Sequence, residues 1–387
     1  MEKVALLKCE DYNLELIESK IRDGFTLLGG ENFLRKLIPY NSKVLLKPNL
    51  LCVEESGSPV VTNFKVFEAV VRILRDYTNN ISFGDSPGFG DSRKAAEKSG
   101  ILSVAEKYNV KFEDFKESIH VKLDKSLLCR SWTVAKAPYE ADVLITLPKL
   151  KTHAMAYYTG ALKNQFGCIP GSLKATWHTR MPKAENFCKM LLDLNTLVNT
   201  NFAILDGIIA MEGNGPKNGA PRKMETLIMG QSLTAVDSTA VRLIGYDNPL
   251  DIPLLKEAKD SNWGKVLPED IEILGEKIEN LKAKDFQLCR KGGSFYFISP
   301  SVTNFLRDLI APDPSLIDEK CIGCGRCAEV CPEKPRALKM CKGESDNKPV
   351  WDMKECIRCF CCQELCPCGA IETKYSMMGR IFRMNKR

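Results

Sequence analysis

Eight cysteines in the last 70 residues or so occur in two copies of one spaced pattern. The pattern is C-x2-C-x2-C-x3-C-P, and its copies read CIGCGRCAEVCP at residues 321–332 and CIRCFCCQELCP at residues 356–367. Three closely spaced thiolates can hold one cuboidal [4Fe–4S] cluster, and the fourth, just before a proline, reaches the neighbouring cluster when two are present. The spacing therefore predicts single-electron chemistry.

The crossed pattern gives two predicted ligand sets in a small α+β domain of the two-cluster ferredoxin type. The first [4Fe–4S] cluster is assigned the thiolates of Cys321, Cys324, Cys327 and Cys366. The second is assigned those of Cys356, Cys359, Cys362 and Cys331. The predicted cofactors are therefore two [4Fe–4S] clusters.

Structural zinc and disulfide bonds are the alternative uses of closely spaced cysteines. Zinc sites usually combine two cysteine pairs or add a histidine, whereas each run here offers four thiols and no histidine follows His178. Disulfides require an oxidising compartment, but the chain begins MEKVALLKCEDYN, without an apolar signal core, and has an odd total of 17 cysteines. We expect a reduced, cytoplasmic protein.

Length and composition are those of a globular protein with two or three domains. The chain has 387 residues, 44% of them hydrophobic and 27% charged. No apolar run approaches the roughly 18 residues that a membrane helix needs, so we expect no membrane insertion. The formal charge is +6, but each oxidised cluster with its thiolates adds roughly −2, and we expect no nucleic-acid binding from so mild an excess.

The elements that must position any site alternate between short β-branched or leucine-rich runs and helical patterns. This alternation predicts an α/β domain at residues 1–310, with a mainly parallel sheet and flanking helices. Strands are predicted at residues 4–7, 44–47, 81–84, 143–147, 202–205, 226–229 and 271–274. Helices are predicted at residues 63–77 with a Thr62 cap, 92–108, 184–199 and 233–245, the last ending at a glycine.

The remaining residues divide into a linker, the cluster domain and a tail. Residues 311–316 read APDPSL and are predicted to be the linker, because they carry two prolines in a polar stretch. The cluster domain is predicted at residues 317–373, with a hairpin between its two cysteine runs. The basic residues 374–387 are predicted to be a solvated tail.

A second group of chemically capable residues lies in an acid-free segment. Residues 143–184 contain no aspartate or glutamate. The same 42 residues hold Lys149, Lys151, His153, Lys163, Lys174, His178, Arg180 and Lys183. A segment of one charge sign that includes a strand end, glycines and aromatic residues predicts a pocket for an anion rather than a solvated helix face.

The pocket is predicted where strands end, because open α/β sheets bind ligands outside the carboxyl ends of their strands. The predicted catalytic residues are Lys149, Lys151, His153, His178 and Asp85. The predicted substrate-binding residues are Lys47, Lys163, Asn164 and Asp206. The alternative, which the residues alone leave open, is that the lysines are surface charges, His153 a packed loop residue and the glycines near Asp85 a simple turn.

Other common cofactor motifs do not occur. The glycines at positions 213, 215 and 219 miss the dinucleotide-binding spacing, and the chain has no Walker A loop, no G-x-S-x-G elbow and no H-E-x-x-H. A bound nicotinamide or ATP is therefore not predicted.

Five ordered blocks resemble the domain-of-unknown-function 362 family. They read KPN at residues 47–49, GDSPG at 84–88, LPKLKTH at 147–153, TGALKNQFGCIPG at 159–171 and MEGNGP at 211–216. The resemblance covers about residues 30–250, and it implies a C-terminal two-cluster ferredoxin module, which family members often carry. It places Lys149, Lys151, His153, Lys163, Asn164 and His178 in the polar signature block of the family. It implies little about activity, because the family has no general assigned reaction.

Two functions fit these observations. The first is an iron–sulfur oxidoreductase whose clusters relay electrons between a redox partner protein and a small anionic substrate in the α/β domain. The second is a non-enzymatic electron carrier, similar to a large ferredoxin, that docks its redox partner through the basic segment at residues 143–184. A crevice lined by the basic residues favours the enzyme, and an exposed flat patch favours the carrier.

Overall fold

The computed structural model describes most of the chain. The described residues are 1–88, 90–154, 156–171, 173–174, 177, 181, 184–288, 313–331, 333, 335–342, 347–353, 355–356, 358 and 360–374. Two predicted site residues, His178 and Cys359, lie outside these ranges, as do residues 375–387 of the predicted tail.

A ten-stranded mixed sheet forms the centre of the N-terminal domain, beside a ribbon of two strands, β5 and β6. The strands are β1 (Glu2–Lys8), β2 (Val44–Pro48), β3 (Ile81–Gly84), β4 (Lys111–Glu113), β5 (Ser118–Lys122), β6 (Ser131–Ala135), β7 (Val143–Leu147), β8 (Lys149–His153), β9 (Tyr157–Thr159), β10 (Phe202–Glu212), β11 (Ala220–Gly230) and β12 (Ile271–Gly275). Each of the seven predicted strands corresponds to one of these, and β10 and β11 extend well beyond their predicted bounds.

The sheet is mostly parallel, as predicted. Its main order is β12-β1-β11-β10-β7-β2-β3-β4, with β8 pairing with the later part of β10 and with β9. β10, β7, β2, β3 and β4 are parallel to one another, whereas β11 is antiparallel to both of its neighbours. The carboxyl ends of β7, β2 and β3 therefore meet at one edge, where an α/β sheet presents its ligand site.

Helices cover both faces of the sheet, because successive strand residues point to opposite sides. In β1, Val4 and Leu6 belong to one hydrophobic core, while Ala5 and Leu7 belong to the other. The helices of this domain are Leu14–Leu28, Gly30–Leu37, Phe64–Leu74, Ser92–Lys98, Ile101–Lys107, Lys136–Glu140, Ala161–Asn164, Ala184–Val198, Leu233–Leu243, Pro253–Asp260 and Ile278–Leu281.

The predicted helix at residues 92–108 is two helices. Ser92–Lys98 and Ile101–Lys107 are separated at Gly100, whose φ of 82° lies in the left-handed region that glycine adopts without strain. The helical apolar spacing continues across the break, which is why the sequence pattern predicted one element.

The predicted Thr62 cap was wrong by one residue. Asn63 caps the helix Phe64–Leu74, and its side-chain oxygen accepts the Lys65 N–H at 2.9 Å. The Thr62 hydroxyl instead donates to the Leu147 carbonyl at 2.6 Å, which ties this loop to the end of β7.

β8 follows β7 after a single residue, Pro148, and no strand was predicted there. All five residues of β8 are buried, and Lys149 and Lys151 are paired in register with Asp206 and Met211 of β10. The basic residues of β8 are therefore held inside the sheet instead of on a surface loop.

The C-terminal module is a small α+β unit built on two pairs of strands. β13 (Asp313–Leu316) pairs antiparallel with β16 (Ile371–Lys374), and β14 (Leu338–Lys342) pairs antiparallel with β15 (Asn347–Trp351). The second pair is the hairpin predicted between the cysteine runs. Short helices at Arg326–Glu329 and Cys361–Glu364 each follow the first cysteines of a run.

The predicted boundaries of this module need two corrections. Residues 313–316, predicted as part of the linker, form β13, and Lys374, predicted as the first tail residue, ends β16. The linker was predicted from the two prolines of residues 311–316. One of them, Pro314, lies in β13, which pairs only with β16 among the described strands. A proline is tolerated in such an edge strand, because its missing N–H can face away from the neighbouring strand. Residues 311–312 lie outside the described ranges.

None of the helices in the described part of the chain is long and apolar enough to cross a membrane.

Candidate functional site

The ends of β2 and β3 place a buried ion pair at the ligand-binding edge of the sheet. Lys47 Nζ lies 2.7 Å from Asp85 Oδ1, and both side chains are excluded from solvent. Asp85 Oδ1 also accepts the Ser86 N–H at 3.0 Å, and Oδ2 accepts the Leu50 N–H at 2.7 Å. Because separating a buried pair leaves an uncompensated charge, these contacts fix the strand ends relative to each other.

The segment after the helix Ala161–Asn164 lies directly against this pair. A Cβ atom at Gly167 would lie 1.9 Å from Asp85 Oδ1 and 2.6 Å from Lys47 Nζ, so only glycine fits there. Asn164 donates its Nδ2 hydrogens to the Lys47 carbonyl at 3.2 Å and to Thr146 Oγ1 at 2.8 Å. The segment is thereby locked onto the ends of β2 and β7.

A cavity of about 420 Å³ lies where this edge meets the C-terminal module, a size suited to a small molecule. The charged and amide side chains that line it from the first domain are Asn49, Asp85, Lys151, Lys163, Asn164 and Lys174. The C-terminal module contributes Glu329, Val330, Cys361 and Leu365. The cavity therefore has walls from both modules.

Direct contacts hold the two modules together beside the cavity. Asn218 Nδ2 donates to the Gln363 carbonyl at 3.3 Å, and Gln363 Nε2 donates to Asn214 Oδ1. A Cβ atom at Gly369 would lie 2.9 Å from Asn218 Oδ1, so the backbone of the C-terminal module approaches closely here.

Three lysines of the acid-free segment line the cavity, but with different exposure. Lys151 is almost fully buried and donates to the Val60 carbonyl at 2.6 Å, whereas Lys163 is half-buried. Lys174 is also buried and donates to Ile169 O at 2.6 Å. Several cationic groups in one concave site are tolerable when an anion neutralises them.

Lys149 and Asp206 form a second buried ion pair, 2.7 Å apart, within the sheet. Tyr12 joins them: its hydroxyl donates to Asp206 Oδ1 at 2.8 Å and accepts from Lys149 Nζ at 2.6 Å. Burial lowers the pKa of Lys149 and raises that of Tyr12 well above its usual value. Neither Lys149 nor Asp206 is among the described residues that line the cavity.

His153 is completely buried at the end of β8. Its Nδ1 accepts the Ala156 N–H at 3.1 Å, an arrangement that suits a neutral imidazole. It too is absent from the described cavity lining.

The structure thus separates residues that were predicted to share one crevice. Lys151 and Asp85 line the cavity together with Lys163 and Asn164, whereas Lys149, Asp206 and His153 lie in buried contacts elsewhere. Lys47 lies behind the cavity, paired with Asp85. His178 lies outside the described residues, and the chemical roles assigned to all of these side chains stay predictions.

Five cysteines of the C-terminal module border one small void, and one of them is Cys368. The other four are Cys321, Cys324 and Cys327 of the first run with Cys366 of the second. This set is the one predicted for the first cluster, and it fits a cuboidal cluster held by three thiolates of one run and the last thiolate of the other. Of the second predicted set, Cys331, Cys356 and Cys362 are described. In the described ranges, no three His, Cys, Asp or Glu side chains are grouped so as to hold a single metal ion.

The sequence matches the family described as "Domain of unknown function (DUF362)" over residues 44–242, or 199 of the 387 residues. The chain belongs to the DUF362 family. Residues 313–367 match a second family, described as "4Fe-4S dicluster domain", so this DUF362 protein carries an iron–sulfur domain of the ferredoxin type.

Two relatives of this DUF362 protein cover different parts of it. The Thylakoid-associated protein sll1697 of Synechocystis sp. is 34% identical over 257 residues, which are 66% of this chain and 78% of that protein. The Uncharacterized ferredoxin MJ0722 of Methanocaldococcus jannaschii is 45% identical over 56 residues, which are 14% of this chain and 70% of that protein. The second match falls within the cysteine-rich C-terminal segment.

Two solved structures align with parts of the chain. The lactate racemase apoprotein from Thermoanaerobacterium thermosaccharolyticum aligns with a TM-score of 0.38 at 13% identity and covers 60% of this chain. A Thermotoga maritima protein aligns with a TM-score of 0.34 at 14% identity and covers 56% of this chain. The alignments span only 54% and 55% of those two proteins.

Four residues at the cavity of this DUF362 protein were not assigned to the site from the sequence. Ser86 and Gly167 lie in family blocks but were not assigned to the site, although Ser86 lines the cavity and Gly167 packs against Asp85. Lys174 was noticed only as part of the acid-free segment, and that segment was the signal that could have identified it. Cys361 sits one residue before a predicted cluster ligand, and nothing in the spacing marks it as a wall of a cavity.

Proposed function

We propose that this DUF362 protein is an iron–sulfur oxidoreductase in which two [4Fe–4S] clusters relay electrons to or from a small anionic substrate held between its modules. The observation that carries the proposal is the shared cavity, in which Lys151 and Lys163 face the same space as Val330 and Cys361 of the cluster module. At this cavity, cationic side chains lie beside the module that would supply the electrons.

The cluster ligands support an order of electron transfer. Val330 and Cys361 line the cavity and immediately precede Cys331 and Cys362 of the second predicted set, whereas Leu365, which also lines it, precedes Cys366 of the first. Two such neighbours against one favour the second cluster as the one nearer to the cavity. It would be held by Cys331, Cys356, Cys359 and Cys362, and it supplies single electrons when bound.

The first cluster is the one that a redox partner protein would meet. Cys324, one of its assigned ligands, is exposed, and the neighbouring Ile322 is 69% exposed. Electrons from a partner would enter here and pass through the second cluster to the cavity, or follow the reverse path. Each cluster carries one electron at a time, so a two-electron reaction uses both clusters or two successive transfers.

The lysines support an anionic substrate. Lys163 is the most exposed of the three cavity lysines, so we expect it to be the first that a carboxylate or phosphate entering the cavity meets. Hydrogen bonds to a charged group contribute about 1.5–3 kcal/mol, which corresponds to roughly 10-fold to 150-fold in affinity.

The electron-carrier alternative depends on the basic segment as an exposed docking surface. Lys149, Lys151 and Lys174 of that segment are all buried, and buried ammonium groups cannot steer a partner protein. Their burial favours the oxidoreductase.

The test is re-oxidation of the reduced protein by small anions. The anaerobically purified, cluster-loaded protein is reduced and mixed with anion-exchange fractions of a small-molecule cell extract, and recovery of visible cluster absorption is followed. We expect at least one fraction to re-oxidise wild type and the Lys125→Gln control at the same rate, and Lys163→Gln at least about 10-fold more slowly. Lys125 is an exposed lysine outside the cavity lining.

The opposite result is equally clear. If every active fraction re-oxidises all three proteins at one rate, electrons leave the clusters without passing through the cavity. The protein would then be a carrier, and the oxidoreductase proposal would fail.

A further inference from the structure

Ser86 and Lys174 form a hydrogen-bonded pair in the wall of the cavity. Lys174 Nζ lies 2.9 Å from Ser86 Oγ, and both residues line the cavity. The Gly171 N–H also donates to Ser86 Oγ, at 2.8 Å. With two donors already directed at its oxygen, the Ser86 hydroxyl has its own hydrogen left to donate, and the cavity is the space that it borders.

The environment of Lys174 differs from that of two other deeply buried lysines, Lys47 and Lys149. Lys47 and Lys149 are each paired with a carboxylate at 2.7 Å. Among the described residues, the acceptors of Lys174 are neutral oxygens: besides Ser86, the carbonyls of Ile169 at 2.6 Å and Pro87 at 3.4 Å. A buried ammonium group without a carboxylate ligand gives up its proton more easily than an ion-paired one.

The charged neighbours of Lys174 shift its pKa in opposite directions. Burial lowers its pKa to about 7, Asp85 opposes that effect, and Lys47 adds to it. Cys168 is neutral near pH 7, because burial raises the pKa of its thiol to about 12. Lys174 is thus poised to gain and lose a proton at neutral pH, which is the condition for an efficient general acid.

We propose that Ser86 and Lys174 are the proton relay of the cavity, with Ser86 donating to the substrate and Lys174 replacing the proton. The inference rests on the proposed function, because a substrate reduced by the clusters must take up protons. It assigns the acid role to Lys174 in place of His153, whose imidazole is completely buried and accepts a backbone N–H.

The step balances in protons and electrons. The clusters, when bound, would supply one electron to the substrate, and the substrate atom that gains negative charge would take the hydrogen of the Ser86 hydroxyl. Ser86 takes a proton from the Lys174 ammonium group along their hydrogen bond, and the neutral amine regains one from water. A second electron and a second passage of the relay complete a two-electron, two-proton reduction, and oxidation of the product runs through the same groups in reverse.

The first test measures the Lys174 amine directly, without any substrate. The cluster-loaded protein is treated anaerobically with trace acetic anhydride over a series of pH values, and acetylation of Lys174 and of the exposed Lys125 is quantified by mass spectrometry. We expect modification of Lys174 to rise with a midpoint near pH 7, while that of Lys125 keeps rising into the ordinary lysine range, about pH 10. A Lys174 midpoint in that ordinary range, or no acetylation of Lys174, would overturn the relay.

The second test uses the substrate-active fraction from the re-oxidation experiment. Lys174→Arg keeps the charge but cannot release a proton, so it should slow turnover about 100-fold or more while the substrate concentration for half-maximal rate changes little. Ser86→Ala should slow turnover to a similar extent. Re-oxidation by a one-electron chemical oxidant, which needs no proton, should be unchanged in both variants.

The outcomes separate the two proposals. If Lys174→Arg and Ser86→Ala turn over at the wild-type rate, the relay is wrong and the oxidoreductase function stands. If no anionic fraction re-oxidises even the wild type, the oxidoreductase function is wrong, and the relay, which depends on it, falls with it.

Discussion

Replacing Gly167 with alanine should stretch the buried Lys47–Asp85 ion pair. The new Cβ would lie 1.9 Å from Asp85 Oδ1, whereas real Cβ atoms essentially never come closer than 3.0 Å to such a neighbour, so the two must separate by at least 1.1 Å. If the carboxylate takes that displacement along the line of the pair, its distance from Lys47 Nζ grows from 2.7 Å to about 3.8 Å, so the two groups lose their short contact but stay within ion-pair range.

Inserting a methyl group into a well-packed site costs about 1–3 kcal/mol, so Gly167→Ala should lower the free energy of unfolding by about that amount. The measurement is urea denaturation of the anaerobic, cluster-loaded protein, followed by far-ultraviolet circular dichroism. Gly171→Ala is the matched control, because it lies in the same segment and its Cβ would meet nothing within 4 Å. The control should change the free energy by less than about 0.5 kcal/mol.

Equal unfolding midpoints for the two alanine variants would refute this reasoning. A double variant gives an independent check: with Asp85→Ala already present, the carboxylate oxygen nearest to the new Cβ is gone, and Gly167→Ala should cost much less than it does alone. If its cost in that background is undiminished, the conflict lies with atoms other than the ion pair.

Three further predictions concern the clusters and a buried carboxyl group. Anaerobic purification should yield about eight iron and about eight acid-labile sulfide per chain, and one zinc per cysteine run would contradict the cluster assignment. Cys331→Ser should damage the cluster assigned to Cys356, Cys359 and Cys362, and electron paramagnetic resonance showing loss of only the other cluster would contradict crossed ligation. Burial raises the pKa of Asp237 from its usual 3.8 to about 6, so the folded state binds that proton more tightly and the stability due to this carboxyl falls as pH rises from about 4 through about 6. Asp237→Asn should remove that part of the pH dependence of the urea midpoint, and an unchanged dependence would place the titration elsewhere.

The sheet could be predicted from the sequence because its strands are buried on both faces. Such strands appear as continuous apolar runs, and those at Ile81–Gly84 and Val143–Leu147 have the predicted bounds. β8 was missed because KLKTH has no apolar run, and its lysines are buried only through partners distant in sequence. Lys149 finds Asp206 some 57 positions away, a contact that no local pattern encodes.

The location of the candidate site could be predicted from the sequence, but the side chains that line it could not. The acid-free segment and the strand ends pointed to the edge of the sheet at which the cavity lies, because both signals are local in sequence. Which lysine is paired with a carboxylate and which is not depends on three-dimensional packing. Lys149 and Lys174 are equally plausible as cavity residues from the sequence. In the structure, Lys149 lies in an ion pair within the sheet, and Lys174 lies in the cavity wall.

Because the C-terminal module forms one wall of the cavity, formation of the complete cavity depends on iron. The buried core of that module is small and consists largely of cluster cysteines, namely Cys327, Cys362 and Cys366 with Ala328, Leu338, Ala370 and Ile371. A domain of this kind depends on its metal to fold. In an iron-starved cell, a newly made chain would therefore lack one wall of the cavity. Under the proposed function, such a chain would neither hold the anionic substrate nor transfer electrons to it.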